Sequence, residues 1–166
     1  MLRTLLVIDI QNDYFPGGVL PLWQAESVET RIIQAIQRAQ QRADRVILVR
    51  HLSTSDVGLF ATGSTGNAIR PTVLAVSQDA PVVIKHYADA FQETELSTYL
   101  DGTDQLLVCG MMTQNCVAFT AMSCLAPALD IRVISDLCTA PTEMVHKIAI
   151  NALQSKLRVC TSDDIV

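Results

Sequence analysis

Three residues stand where apolar runs end. Asp9 follows Leu5-Leu6-Val7-Ile8 and Lys85 follows Val82-Val83-Ile84. Cys116 closes the loop Gly110-Met111-Met112-Thr113-Gln114-Asn115, which follows Leu106-Leu107-Val108-Cys109. A cysteine in a helix's first turn feels the positive end of the helix dipole, which predicts a lowered thiol pKa. The unpaired N–H groups of that turn can receive a developing oxyanion. A carboxylate ending a buried strand is desolvated, which raises its pKa toward that of a useful base. A lysine beside it holds the carboxylate ionised and favours a thiolate. If the strand ends share one sheet edge, the three make a nucleophile, a base and a cation. Singly, each has a plainer reading: a packing cysteine, a capping aspartate, a lysine whose head reaches solvent.

The elements needed to hold them are legible in the pattern. Leu5–Ile8, Val46–Val49, Val82–Ile84, Leu106–Cys109, Ile131–Ile134 and Leu157–Cys160 read as short strands. Val28, Ile32, Ala35, Ile36, Ala39 and Ala43 recur at helical spacing between polar residues, an amphipathic helix. Ser53–Asn67, rich in Ser, Thr and Gly, reads as a loop. Helices are expected over Glu93–Leu100, from about Asn115 to Leu129, and from Pro141 to about Lys156 with Thr139 as its cap. Continuously apolar strands are buried on both faces, as in a parallel sheet covered by helices. The alternation predicts a three-layer α/β/α domain with a Rossmann-like, doubly wound, mainly parallel sheet of about six strands. Sites in such sheets lie beyond the carboxyl ends of the strands, where all three residues stand.

Composition narrows the function. The 166 residues suit one domain spanning 1–166, and 49% hydrophobic against 17% charged residues leaves ample core. A net charge of −5 offers no basic footprint for nucleic acid. The apolar runs are strand-length, so no membrane span is expected. The first run meets Asp9 with no small-residue cleavage site, so it reads as a strand rather than a signal peptide, and cytoplasm follows by default. The five cysteines, Cys109, Cys116, Cys124, Cys138 and Cys160, are odd in number and lack metal-type pairing. No glycine-rich phosphate loop follows the first strand, which argues against a nucleotide- or flavin-binding domain.

Three blocks resemble the isochorismatase-like hydrolases in the family's order. They are Val7-Ile8-Asp9-Ile10-Gln11-Asn12-Asp13-Tyr14-Phe15, Val83-Ile84-Lys85-His86-Tyr87-Ala88-Asp89-Ala90-Phe91, and Leu107-Val108-Cys109-Gly110-Met111-Met112-Thr113-Gln114-Asn115-Cys116-Val117. The resemblance implies a cysteine hydrolase with no cofactor, acting on a small-molecule amide or related C–N bond through an acyl-enzyme. Asp9, Lys85 and Cys116 match the family's triad. A cis peptide falls at Met111–Met112, turning the Met112 and Cys116 N–H groups toward the oxyanion. Family members are usually oligomers, so a homodimer or larger assembly is expected. One departure matters. Nicotinamidase-type relatives carry an Asp-x-His pair and a further histidine for a metal; here Val49 stands two residues before His51, so no metal is expected. Asn12, Tyr14, Phe15, His51, Tyr87 and Phe91, with Trp23 and Phe60, are candidate pocket residues because several flank the motifs. The competing reading is a non-catalytic family member that binds a ligand or a protein.

Overall fold

The computed structural model describes residues 1–165. Six strands form one sheet: β1 (Arg3–Ile8), β2 (Arg45–His51), β3 (Val82–Lys85), β4 (Gln105–Met111), β5 (Asp130–Thr139) and β6 (Arg158–Cys160). Their order is β3-β2-β1-β4-β5-β6, and every pairing is parallel. From β1 the chain winds outward to β2 and β3, then returns to β4 on the other side. The reversal lies between β1 and β4, the position at which such sheets open a crevice. Almost every residue of β1 and all of β4 are buried. Successive strand residues point to opposite faces, so both faces there are covered. β3 alternates exposed and buried, as an edge strand does.

The helices are α1 (Ala25–Gln41), α2 (Pro71–Val76), α3 (Leu96–Tyr99), α4 (Ala118–Ala121) and α5 (Glu143–Gln154). In α1 the expected stripe, Val28, Ile32, Ala35, Ile36 and Ala39, is buried. Burying each of its large side chains contributes about 1.5–3 kcal/mol. Ala43 lies beyond the helix end, with a left-handed backbone at φ 57.

Several expectations need correction. The helix expected from Asn115 to Leu129 is two short pieces, a π turn at Thr113–Val117 followed by α4. Pro127 cannot donate a helical hydrogen bond and would clash with the Ser123 carbonyl. Ser123 instead turns its hydroxyl to Asp89. The cap of α5 is Thr142, whose hydroxyl accepts from Val145 N at 3.2 Å; Thr139 is buried in β5 and donates to Trp23 O. α3 is one turn rather than the span Glu93–Leu100, and α2 was not anticipated. β5 runs well past Ile134, because a bulge absorbs extra residues between its pairs with Val108 and Gly110 of β4.

Candidate active site

β1 ends at Asp9, whose backbone turns left-handed at φ 54 while its N–H still bonds Val49 O of β2. Aspartate adopts this region more readily than most residues, at a cost of roughly 1–2 kcal/mol. Lys85 is the last residue of β3 and pairs in register with His51, the last of β2. β4 ends at Gly110 and Met111, where Gly110 has φ +119 and a Cβ would lie 2.1 Å from Ile8 O. Glycine is required there, since the loop carrying Cys116 leaves β4 hard against the end of β1. The Met111–Met112 peptide is cis. Cys116 lies in the π turn that follows, 2% exposed.

These strand ends bring Asp9, Lys85, Cys116 and His51 together. The Lys85 ammonium is fully buried, 3.0 Å from Asp9 Oδ2. It donates to Cys116 Sγ at 3.2 Å and to Tyr87 O at 2.9 Å, and lies 2.8 Å from His51 Nδ1. Both Asp9 oxygens are buried, and the Lys85 ammonium is the charge that faces them.

Burial raises the Asp9 pKa, with Lys85 pulling it back only in part. Burial alone would lower that of Lys85, but Asp9 and Cys116 outweigh it and the ammonium is held. Burial and then Asp9 push the Cys116 thiol up, against the pull of Lys85. This corrects the expectation of a lowered thiol pKa. The expectation weighed the helical turn alone, whereas burial of the sulfur and the carboxylate facing it act in the other direction. Burial, then Lys85 and His86, lower His51 to about 4, so its ring is neutral.

The other pocket candidates divide. Tyr14 and Phe60 meet edge to face at 4.8 Å, and His51 lies 5.6 Å from Phe60, so these three rings adjoin the centre. Phe15 packs in the core beneath the Arg70 guanidinium, 4.2 Å from its ring. Asn12 bonds Thr65 O and Arg70 rather than the centre. Phe91 is buried in the core, and Tyr87 offers its carbonyl to Lys85 while its side chain is exposed. Trp23 stands against His146. Sequence reasoning missed Gln11 and Asp13. Gln11 is fully buried and clamps both backbone groups of His51, accepting at 2.8 Å and donating at 2.7 Å. Asp13 accepts from Phe60 N at 2.7 Å, tying the Ser53–Asn67 loop to the turn after β1. Both are polar groups close behind the apolar run of β1, within the first of the three motif blocks, which was the available signal.

Asp9, His51 and Cys116 offer ligand atoms within 4.8 Å of one another. A metal ion held by all three does not fit, because the Lys85 ammonium already contacts each of them. Among the described residues the other histidines face elsewhere, His86 to Leu52 O and His146 to Thr113.

Residues 3–164 match the sequence profile of the isochorismatase domain. An uncharacterised isochorismatase family protein of Bacillus subtilis is 31% identical over 149 residues, covering 88% of this chain and 82% of that protein. The nicotinamidase of Escherichia coli is 25% identical over 175 residues, covering 82% of each. Among solved structures, an isochorismatase-like hydrolase from Alkaliphilus metalliredigens superposes with TM-score 0.89 at 26% identity, covering 99% of this chain and 96% of that one.

Proposed function

Because the chain belongs to the isochorismatase family, we propose that it hydrolyses a small-molecule amide or related C–N bond through Cys116. The observation that carries this reading is the buried contact of Lys85 Nζ with both Asp9 Oδ2, at 3.0 Å, and Cys116 Sγ, at 3.2 Å. The similarity to a nicotinamidase supports the substrate class.

Asp9 takes the thiol proton as the sulfur attacks the carbonyl carbon. The N–H groups of Met112 and Cys116 receive the oxyanion, each such donor contributing about 3–4 kcal/mol to the barrier lowering. The intermediate collapses as Asp9 passes its proton to the nitrogen. The C–N bond breaks, the amine leaves, and a thioester remains on Cys116. Asp9 then deprotonates a water that attacks the thioester, and the acid departs as the thiol regains its proton. Lys85 stays protonated throughout and offsets whichever of Asp9 and Cys116 carries the charge. A raised Asp9 pKa suits this role, since the base must accept a proton and give it up. The reading as a non-catalytic binding module is disfavoured by an intact set of buried polar groups that a binding role would not need.

The chain acts on small molecules and, in this reading, assembles as a homodimer or larger closed oligomer. Among the described residues no helix is long and apolar enough to cross a membrane. Purified protein is to be screened against amides, ureides and carbamoyl compounds with ammonia as the readout. Release that disappears in Cys116→Ala is expected. A hit that Cys116→Ala hydrolyses as well as wild type would remove the covalent mechanism.

A further inference from the structure

Lys85 has three protons to donate and four acceptors close around it. Cys116 Sγ at 3.2 Å, Tyr87 O at 2.9 Å and His51 Nδ1 at 2.8 Å lie within hydrogen-bond reach of it, and Asp9 Oδ2 is its ion-pair partner at 3.0 Å. The shortest of these contacts is to a histidine ring nitrogen. An ammonium has no lone pair, so Nδ1 must be the acceptor. A hydrogen on Nδ1 would set two donors face to face at 2.8 Å. The ring proton therefore sits on Nε2, and the imidazole is neutral.

The placement of that ring is fixed from behind. Gln11 accepts from His51 N and donates to His51 O with the two ends of one buried amide, and its Nε2 also reaches Asn67 O at 2.8 Å. Phe60 lies against the ring face. Register pairing of His51 with Lys85 sets the two side chains side by side at the sheet edge. The charged and titratable groups facing the ring are Lys85, Asp9, Cys116 and His86.

We propose that His51 is a positioning residue: its Nδ1 lone pair takes one of the three Lys85 hydrogen bonds and so holds the ammonium between Asp9 and Cys116. Without it, the buried ammonium loses its shortest contact, its hold between Asp9 and Cys116 loosens, and its support of the charged sulfur weakens. In relatives whose histidine at this point serves a metal, the same lone pair would face a dication; here it faces a lysine. The inference rests on the reading of Lys85 as the charge partner of Cys116, and the test separates the two.

Two measurements on the full chain decide it. Long-range proton–nitrogen correlation on histidine-labelled protein reads the tautomer directly. His51 is expected to show a protonated Nε2 and a bare Nδ1, unchanged from about pH 5.5 to 8. A protonated Nδ1, or an imidazolium formed within that range, overturns the proposal without need of any variant. The second measurement is the rate of Cys116 alkylation by iodoacetamide against pH, read by mass spectrometry of the Cys116 peptide. His51→Leu and His51→Asn are close in shape, but only asparagine carries an acceptor near the place of Nδ1. His51→Leu should slow alkylation at neutral pH by about tenfold or more, the loss of one hydrogen bond to a charged group, and His51→Asn should restore most of that rate. Lys85→Ala run beside them is the control. A Lys85→Ala profile shifted to higher pH, with His51→Leu like wild type, overturns the role of His51 and leaves the mechanism standing. A Lys85→Ala profile like wild type overturns both.

Discussion

The molecule breaks the apolar-inside rule in two places and in opposite senses. At the carboxyl ends of β1, β2 and β3 it buries Asp9, Gln11 and Lys85 completely. In and just after α4 it exposes Phe119, Met122 and Leu125, and on α5 Met144 and Ile148, each more than half exposed. The first region is organised inward. Lys85, His51, Tyr87 and Cys116 are joined by hydrogen bonds, and Gln11 braces the cluster. The second has no such order; Met122 and Ile148 line an apolar groove together with Val145 and Leu153. Buried polar groups cost free energy unless paired, and exposed apolar ones leave burial unrealised. In the proposed reading the first region carries the chemistry and the second carries the assembly.

The strongest way to break this division is to dismantle the buried set. Asp9→Asn and Lys85→Ala should each lower turnover by about a thousandfold, and the double variant should cost little more than either, because groups acting as a unit are non-additive. The fold should survive Lys85→Ala, since a buried Asp9 whose pKa is already raised can take up a proton and shed its charge. Steady-state kinetics on a substrate from the ammonia screen checks this. Losses that multiply would mean Asp9 and Lys85 work separately.

The second region is broken by charge. The wild-type chain should scatter light as a dimer or larger at micromolar concentration. Met122→Asp combined with Ile148→Asp should yield monomers whose turnover stays within about threefold of wild type, since charged groups are excluded from the core of such interfaces. A monomeric wild type contradicts the assignment of this face, and so does a double variant that assembles normally.

The smallest expected effect sharpens the first region. His51 is neutral in the folded state down to about pH 4, but in the unfolded chain it charges below 6.5. Between those values the unfolded state binds more protons, so stability falls as pH falls through that window. His146, also lowered by burial, acts in the same sense. Asp9, whose folded pKa is raised, acts in the opposite sense above 3.8. Comparing urea midpoints of wild type and His51→Asn isolates the His51 part. The variant should lose less stability on acidification, and parallel curves would contradict a buried neutral imidazole.

Much of this was readable from the chain because strands and their ends are local. Leu5–Ile8 is continuously apolar and stops at a charge, and the same is true of Val82–Ile84 before Lys85. What joins the ends is not local. The bond of Gln11 to His51, and that of His51 to Lys85, each span more than thirty positions and depend on parallel register. The state of the Cys116 thiol misled for the same reason. The helical turn beside it is visible in sequence, whereas how deeply the thiol is buried, the larger cause, and how closely Asp9 faces it depend on the packed fold. The overlong helix after Cys116 is a different failure: Pro127 was in plain view, and its missing N–H should have stopped the helix.

Cys116 carries the central claim, and a quenched reaction tests it most directly. Wild-type protein turning over its best amide is to be stopped in acid and its intact mass measured, with the Cys116 peptide sequenced. The account expects an added mass equal to the acyl part of the substrate on Cys116. It expects no adduct and no turnover in Cys116→Ala, with the adduct and most turnover kept in Cys109→Ala and Cys138→Ala. Full turnover by Cys116→Ala, or an acyl group found on another residue, would contradict it.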